Sequence, residues 1–261
     1  MVRRLAILGL FLFPLSSNAD WLERPNASSP PVNQLRTHGN ACGPACLLDA
    51  FRSGNSKWQK SIAKIKGKSD PEKIKTIIAT HGVRGSRLDP KKRRWNTRYG
   101  VSGNDLADMA NELKSERWMG TVRAKILFRK ERQKETDLLR QTHKQLVSSM
   151  KRGLPPILRI RRVAWRSPQG TKVKAWLTVK RHFLVLTGLP EKIPRGATSF
   201  AVTYHDPWGG KKLRGTIRIN DEKTAGLPTL VADFPQSIIG KDLIQRSEPT
   251  CLSLSSAIGL F

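Results

Sequence analysis

The spacing of apolar residues changes near Gly153, and this change limits what the chain can fold into. Before Gly153, apolar residues recur every three or four positions, as in "GNDLADMANELK" (103–114) and near residues 135–151. A further helical segment begins after a capping box of Ser69 and Glu72 and stops at Gly82. These patterns predict three helices in the first half of the chain.

Beyond Gly153 the pattern becomes that of strands. Lysines alternate with apolar residues in "TKVKAWLTV", and "HFLVLTG" is apolar on both faces, which is typical of a central strand. The predicted strands are "ILRIRRVAW" (157–165), "TKVKAWLTV" (171–179), "HFLVLTG" (182–188), "SFAVTY" (199–204), "LRGTIRI" (213–219) and "TLVADF" (229–234). Helices followed by strands predict an α+β domain, with N-terminal helices packed on a mostly antiparallel sheet.

The N-terminus, "MVRRLAILGLFLFPLSSNAD", predicts a secretory signal peptide over residues 1–19. A membrane anchor is the alternative, but a spanning helix needs about 20 apolar residues, and this run is shorter and contains Pro14. We therefore expect cleavage near Ala19, a secreted or periplasmic protein, and no transmembrane segment. Residues 20–33 read as an extended lead-in and residues 34–261 as a single domain.

The chain is strongly basic, with 48 Lys and Arg against 20 Asp and Glu and a net charge of +28. Loss of the signal peptide removes two of these charges, Arg3 and Arg4. The excess predicts attraction to an anionic envelope polymer or another polyanion, and a merely solvated basic face is the alternative. No nucleic-acid-binding motif is present, so we expect no specific nucleic-acid partner.

Three cysteines are too few for a disulfide scaffold, and their odd number leaves at least one thiol outside any intrachain pair. Cys42 and Cys46 have no second pair at metal-ligand spacing, so we expect neither a metal nor a cofactor. Pairing of Cys46 with Cys251 would leave Cys42 free, and we treat that disulfide as a hypothesis.

Cys42 stands where a loop is predicted to become a helix. Asn40 is a suitable helix cap and Pro44 suits a first turn, so the thiol would lie at the positive end of the helix dipole. That position favours a thiolate. The alternative is a plain loop-to-helix transition with small buried cysteines.

A thiol nucleophile needs a base, and His182 opens the most apolar predicted strand. Asp206 follows the next strand. If the two strands pair antiparallel with Leu186 opposite Val202, His182 lies opposite Asp206 on one face. A structural histidine and an ordinary Asp-Pro turn are the alternatives.

Four blocks in this order, "CGPACLLDAF", "LPPILRI", "HFLVLTG" and "VTYHDPWGG", resemble the peptidase C39-like group of papain-like cysteine peptidases, over roughly residues 34–210. The resemblance implies a papain-like fold without a cofactor. It also implies that Cys42 is the nucleophile, that His182 is the general base and then the acid, and that Asp206 orients the histidine.

The oxyanion-hole glutamine of that family stands six residues before the cysteine, where this chain has Arg36. Gln34, eight residues before Cys42, is the nearest candidate for this role, and a plain surface glutamine is the alternative. Loss of one oxyanion donor costs about a hundredfold or more in rate, so this departure bears on activity itself.

These features predict a secreted cysteine-type peptidase that cleaves a peptide or protein substrate through a thioester. Two alternatives stay open. One is another thiol acyl-transfer activity, such as cell-wall amide cleavage or transpeptidation. The other is a catalytically impaired basic module that binds polyanions.

Overall fold

The computed structural model describes residues 20–37 and 39–261, so the predicted signal peptide lies outside the described residues. The α-helices are α1 (Cys42–Ser53), α2 (Ser56–Ala63), α3 (Asp70–Ile77), α4 (Gly103–Leu113) and α5 (Glu135–Lys151). A π-helical turn, Ile78–Gly82, extends α3, and short 3-10 turns lie at Gln34–Arg36, Glu222–Thr224 and Lys241–Leu243. The three predicted helices are therefore confirmed, although the side chain of Ser69 forms no capping hydrogen bond.

The strands lie mainly in the second half. They are β1 (Trp21–Glu23), β2 (Trp95–Asn96), β3 (Gly100–Val101), β4 (Arg123–Ile126), β5 (Ile157–Arg166), β6 (Ala175–Pro190), β7 (Ser199–Asp206), β8 (Lys211–Arg218), β9 (Leu230–Asp233) and β10 (Thr250–Gly259). β2 and β3 form a separate small hairpin, and the other strands belong to one antiparallel sheet.

That sheet closes on itself. Its strands follow the order β6-β5-β10-β9-β8-β7, and β7 also pairs with β6, where Val185 faces His205 and Leu186 faces Tyr204. The result is a closed six-stranded antiparallel barrel, with β1 added to β6 and β4 added to β10.

The predicted α+β, papain-like fold with N-terminal helices on a mostly antiparallel sheet is therefore wrong. Side-chain alternation specifies which face of a strand is buried, but it is the same in an open sheet and in a closed barrel. Whether the last strand returns to the first depends on long-range pairing that the pattern does not contain.

The end of one predicted strand, "AWLTV" (175–179), and the whole of "HFLVLTG" are parts of the single 16-residue strand β6. The pairing of β6 with β5 shifts register between Arg162 and Val163. Such an irregularity bends a strand without ending it, so the change from half-buried to fully buried residues within β6 looks like a boundary in the sequence. The sequence patterns also did not reveal α2, β1, β4 and β10.

The core has two large parts. Alternate residues of the barrel strands, including Leu158, Leu184 and Tyr204, form one cluster that α5 joins through Leu139 and Leu146. Helices α1 to α4 pack on the other face of the sheet in a second cluster. Helix α1 is buried at every position except Arg52.

The lead-in, residues 20–33, is extended and belongs to the same folded unit. Its strand β1 pairs with β6, and its Arg24 side chain is buried. Within residues 20–37 and 39–261, none of the helices has the length and apolar character needed to cross a bilayer.

Candidate active site

Cys42 is the first residue of α1, as predicted, but the cap differs from the prediction. Ala41 occupies the cap position and forms no side-chain hydrogen bond to the helix. The Asn40 side chain instead donates to the backbone oxygens of Thr97 and Arg98. The first turn, which contains Pro44, therefore has no side-chain acceptor for its N-H groups, and these groups favour negative charge at Cys42.

Cys42 is only 8% exposed, and its thiol lies beside the His182 side chain and the backbone of Phe183 and Gly43. Burial is the largest single influence on its pKa and raises it. The hydrogen bond and charge of His182, together with the two backbone hydrogen bonds, outweigh burial, so the pKa of Cys42 lies below its ordinary value. The site thus favours a thiolate.

His182 links the thiol to Asp206. Its Nε2 lies 2.8 Å from Asp206 Oδ1, which leaves Nδ1 as the ring nitrogen available to Cys42. Burial, the largest influence, lowers the pKa of His182, but Asp206 and Cys42 together overcome it and raise the pKa to about 9. Asp206 Oδ1 also accepts a hydrogen bond of 2.8 Å from the backbone N-H of Trp208, which holds the carboxylate in place.

The strand register that brings His182 and Asp206 together is not the predicted one. Leu186 faces Tyr204 rather than Val202, which is a shift of two residues. Because side chains alternate with period two, a shift of two residues keeps the same faces. The two side chains still meet on adjacent antiparallel strands, and that part of the prediction is confirmed. Asp206 ends β7 as expected, whereas His182 lies in the middle of β6 and does not open a strand.

Gln34 lies next to the segment that carries Asp206. Its backbone N-H donates to Pro207 O at 2.9 Å, and its side chain is buried, with 5% of the residue exposed. The side-chain Oε1 is buried without a hydrogen-bond partner among the described residues. Arg36, at the family's usual glutamine position, is exposed on the same 3-10 turn.

The other two cysteines differ from Cys42. Cys46 is fully buried, and its pKa is raised well above the ordinary value, first by burial and then by the nearby charges of Cys42 and Asp49. Cys251, on β10, is half-buried, and burial raises its pKa to about 11. All three thiols are free, so the hypothesis of a Cys46–Cys251 disulfide is wrong.

A second histidine–aspartate pair lies on the opposite face of β7 from Asp206. His205 Nδ1 is 3.0 Å from both carboxylate oxygens of Asp49, and Arg24 Nη1 is 2.7 Å from His205 Nε2. Ser53 Oγ donates to the same carboxylate at 3.0 Å. Sequence reasoning missed this buried network. Its one local signal is Asp49 within an apolar helix, since a buried carboxylate requires partners.

This second network does not reach the thiol, and His205 is engaged on both ring nitrogens. A neutral imidazole with its proton on Nδ1 satisfies both neighbours, because it donates to Asp49 and accepts from Arg24. We therefore assign it a structural role that ties the lead-in to α1 and β7.

The described part of the chain contains no group of three or more His, Cys, Asp or Glu side chains placed to hold a metal ion. Comparison with protein-family models finds no match, and a search of the curated proteins also finds none.

Proposed function

We propose that the protein is a thiol hydrolase that cleaves an amide bond with Cys42 as nucleophile. The observation that carries the proposal is that His182, hydrogen-bonded to Asp206, lies close enough to Cys42 at the start of a buried helix to lower the pKa of its thiol. Activated thiols in proteins combine these features: a helix N-terminus, an imidazole partner and an orienting carboxylate. The sequence blocks that resemble C39-like peptidases assign the same roles to the three residues.

The reaction begins with attack of the Cys42 thiolate on the amide carbonyl, which forms a C–S bond and places a negative charge on the carbonyl oxygen. When the C–N bond breaks, the His182 imidazolium gives its proton to the leaving nitrogen. The neutral imidazole then takes a proton from water as the water attacks the thioester. Release of the carboxylate product restores the thiolate and the imidazolium.

Two groups are candidates to stabilise the oxyanion. The backbone N-H of Cys42 lies in the first turn of α1, where helix N-H groups have no partner within the helix. The second is the Gln34 amide, which no side-chain hydrogen bond restrains within the described residues. Donors of this kind act because they are in place before charge develops.

The substrate we propose is a peptide or protein encountered outside the cytoplasm, in keeping with the predicted signal peptide. Without Arg3 and Arg4 of the signal peptide the net charge falls from +28 to +26, and this excess would concentrate the enzyme on anionic envelope polymers. Neither the signal peptide nor the net charge determines which peptide bond is cleaved.

A direct test is acylation by p-nitrophenyl acetate, followed by intact mass measurement and peptide mapping. We expect a burst of p-nitrophenolate with the acetyl group on Cys42, and loss of the burst in Cys42→Ala. Cys251→Ala is the matched control, because that thiol is more exposed but has a pKa of about 11 and should contribute nothing. If wild-type protein shows no burst and its Cys42 is not alkylated near neutral pH, the protein is better described as a basic binding module.

A further inference from the structure

Three arginines lie together on one face of the two strands that flank the site. Arg159 and Arg161 are on β5, and Arg181 is on β6 immediately before His182. In the register of these strands Arg161 faces Arg181, and Arg159 faces Phe183. We call these three residues the arginine cluster.

The cluster is not neutralised by the protein. Within residues 20–37 and 39–261 its members form no ion pair with a carboxylate, and their one side-chain hydrogen bond is a long contact of 3.5 Å from Arg161 Nη1 to Thr178 Oγ1. The Nε atoms of Arg159 and Arg161 are buried without a partner. Like charges facing each other across strands and unpaired buried donors both destabilise a fold, and binding of an anion would relieve both.

Aromatic rings hold two of the guanidinium groups. Arg161 Cζ lies 4.9 Å from the ring centre of Phe128, and Arg159 Cζ lies 5.7 Å from that of Phe183. A guanidinium that stacks on a ring keeps its N-H edge free for donation in the plane. Arg159 and Arg161 are therefore oriented for binding, and Arg181 adds an exposed guanidinium beside them.

The cluster lines a groove made of two adjoining cavities of about 450 and 730 Å³, both of which include Arg159 and Arg181. Each carboxylate of the groove is already paired with a neighbouring group. Asp105 accepts hydrogen bonds from Ser86 Oγ and from the backbone of Arg87, both at 2.8 Å, and Asp89 pairs with Lys92 at 2.9 Å. The groove thus offers donors and positive charge to a ligand.

The groove lies beside the nucleophile. Val101 lines it, and the same side chain packs so closely on Gly43 that a Cβ there would lie 2.3 Å from Val101 Cγ1. Arg159 stacks on Phe183, whose backbone hydrogen bonds to the Cys42 thiol. A substrate whose amide reaches Cys42 can therefore place a neighbouring group on the arginine cluster.

We propose that the arginine cluster binds a carboxylate of the peptide substrate next to the scissile amide. This inference rests on the proposed role of Cys42, because the nucleophile defines the substrate as an amide and carboxylates are the anions that peptides carry. Arginine suits this ligand, since its planar fork donates two parallel hydrogen bonds to one carboxylate. An acidic side chain and a free C-terminus are the two possible sources.

The first test compares alkylation of Cys42 by iodoacetate and by iodoacetamide, which have similar size and the same leaving group but differ in charge. The ratio of their rates should fall about fivefold in Arg181→Gln and in Arg161→Gln, because the cluster attracts the carboxylate reagent. Lys180→Gln is the matched control, since Lys180 is exposed on the same strand with its side chain on the opposite face. A ratio unchanged in both arginine variants would overturn the proposal, even if iodoacetamide labels Cys42 rapidly.

The second test measures binding without catalysis, by fluorescence anisotropy with the Cys42→Ala protein. The probes are labelled Ala-Ala-Glu amide, Ala-Ala-Gln amide and Ala-Ala-Gln with a free C-terminus. We expect one or both carboxylate-bearing peptides to bind at least about tenfold more tightly than the neutral amide, with the preference lost in Arg181→Gln. Preference for the first identifies a side-chain carboxylate, and preference for the third identifies a chain terminus.

Equal binding of all three peptides would refute the carboxylate site. Displacement of the peptides by inorganic phosphate at a concentration where acetate has no effect would also refute it, in favour of a phosphate site. Neither result bears on acylation of Cys42, so failure of the arginine cluster and failure of the hydrolase are distinguishable. Arg181 is exposed, so its variant should fold even if Arg161→Gln does not.

Discussion

Replacement of His182 by alanine tests whether the imidazole stabilises the Cys42 thiolate. The variant removes the hydrogen bond and the charge that offset burial at Cys42, and it leaves only the backbone of Phe183 and Gly43 to do so. Since burial is the largest influence on this thiol, the pKa of Cys42 should return to its ordinary value or above. The thiol should then be almost entirely neutral near pH 6.

The structure sets the scale of this effect. The pKa of His182 rises from 6.5 to about 9, which corresponds to about 3 kcal/mol of net stabilisation of the imidazolium by Asp206 and Cys42. The attraction between imidazolium and thiolate stabilises both groups equally. Removing the imidazole therefore removes this stabilisation from the thiolate. A thiol with the ordinary pKa of 9.0 is about one part in a thousand ionised at pH 6.

Higher basicity makes the remaining thiolate more reactive, by about threefold for each pKa unit, and so offsets part of this loss. We therefore expect iodoacetamide to label Cys42 at pH 6 at least about tenfold more slowly in His182→Ala than in the wild type. The assay is peptide mapping by mass spectrometry over a time course, with Cys251 in the same samples as an internal reference.

The pH dependence provides a second check. A raised pKa means that His182 keeps its proton at neutral pH and loses it as the pH rises through about 9. Wild-type cleavage of an amide substrate should therefore decline above about pH 9, because the leaving nitrogen then lacks its proton donor. Labelling of His182→Ala at the wild-type rate at pH 6 would refute the proposed ion pair.

Four further outcomes are expected. Asp206→Asn should lower hydrolysis by about ten- to hundredfold, because it weakens the orientation of the imidazole but leaves nucleophile and base in place. This loss should be smaller than that of Cys42→Ala, and an equal loss would contradict the orienting role of Asp206. Gln34→Ala should lower hydrolysis by about a hundredfold while Cys42 alkylation is unchanged, and equal rates of hydrolysis would exclude Gln34 from the oxyanion hole. Gly43→Ala should lower the free energy of unfolding in urea by about 1–3 kcal/mol, since its Cβ would lie 2.3 Å from Val101 Cγ1. Adding Val101→Ala to this variant should restore stability if that contact is the cause. Heparin binding should weaken steeply with salt because counterions are released, and salt-independent binding would show that the charge of +28 is dispersed.

Local features of this protein follow from the sequence. The apolar spacing near residues 135–151 predicted a helix, and α5 spans Glu135–Lys151. The start of α1 at Cys42 was predicted from Asn40 and Pro44, and it is correct although Ala41 is the cap residue. Helices can be predicted in this way because their contacts join residues three and four apart, so the signal lies within one short segment.

Part of the candidate site could also be predicted from the sequence. The predicted register was wrong by two residues, yet His182 and Asp206 lie on one face because alternation repeats every two residues. Gln34 was identified only as the nearest glutamine. Its contact with Pro207 depends on how the lead-in crosses the end of β7, which no local pattern describes.

Only the tertiary structure decided how these parts are assembled. Pairing of β7 with both β6 and β8 closes the barrel, and the Arg24–Asp49–His205 network joins three segments that are distant in the chain. The sequence shows ten basic residues from Lys151 to Arg181, but the β5–β6 register is what brings Arg161 to face Arg181 beside the nucleophile. The physical reason is the same in each case: a strand's own residues determine which face it buries, whereas its partner and register are chosen by contacts with residues far away in the sequence.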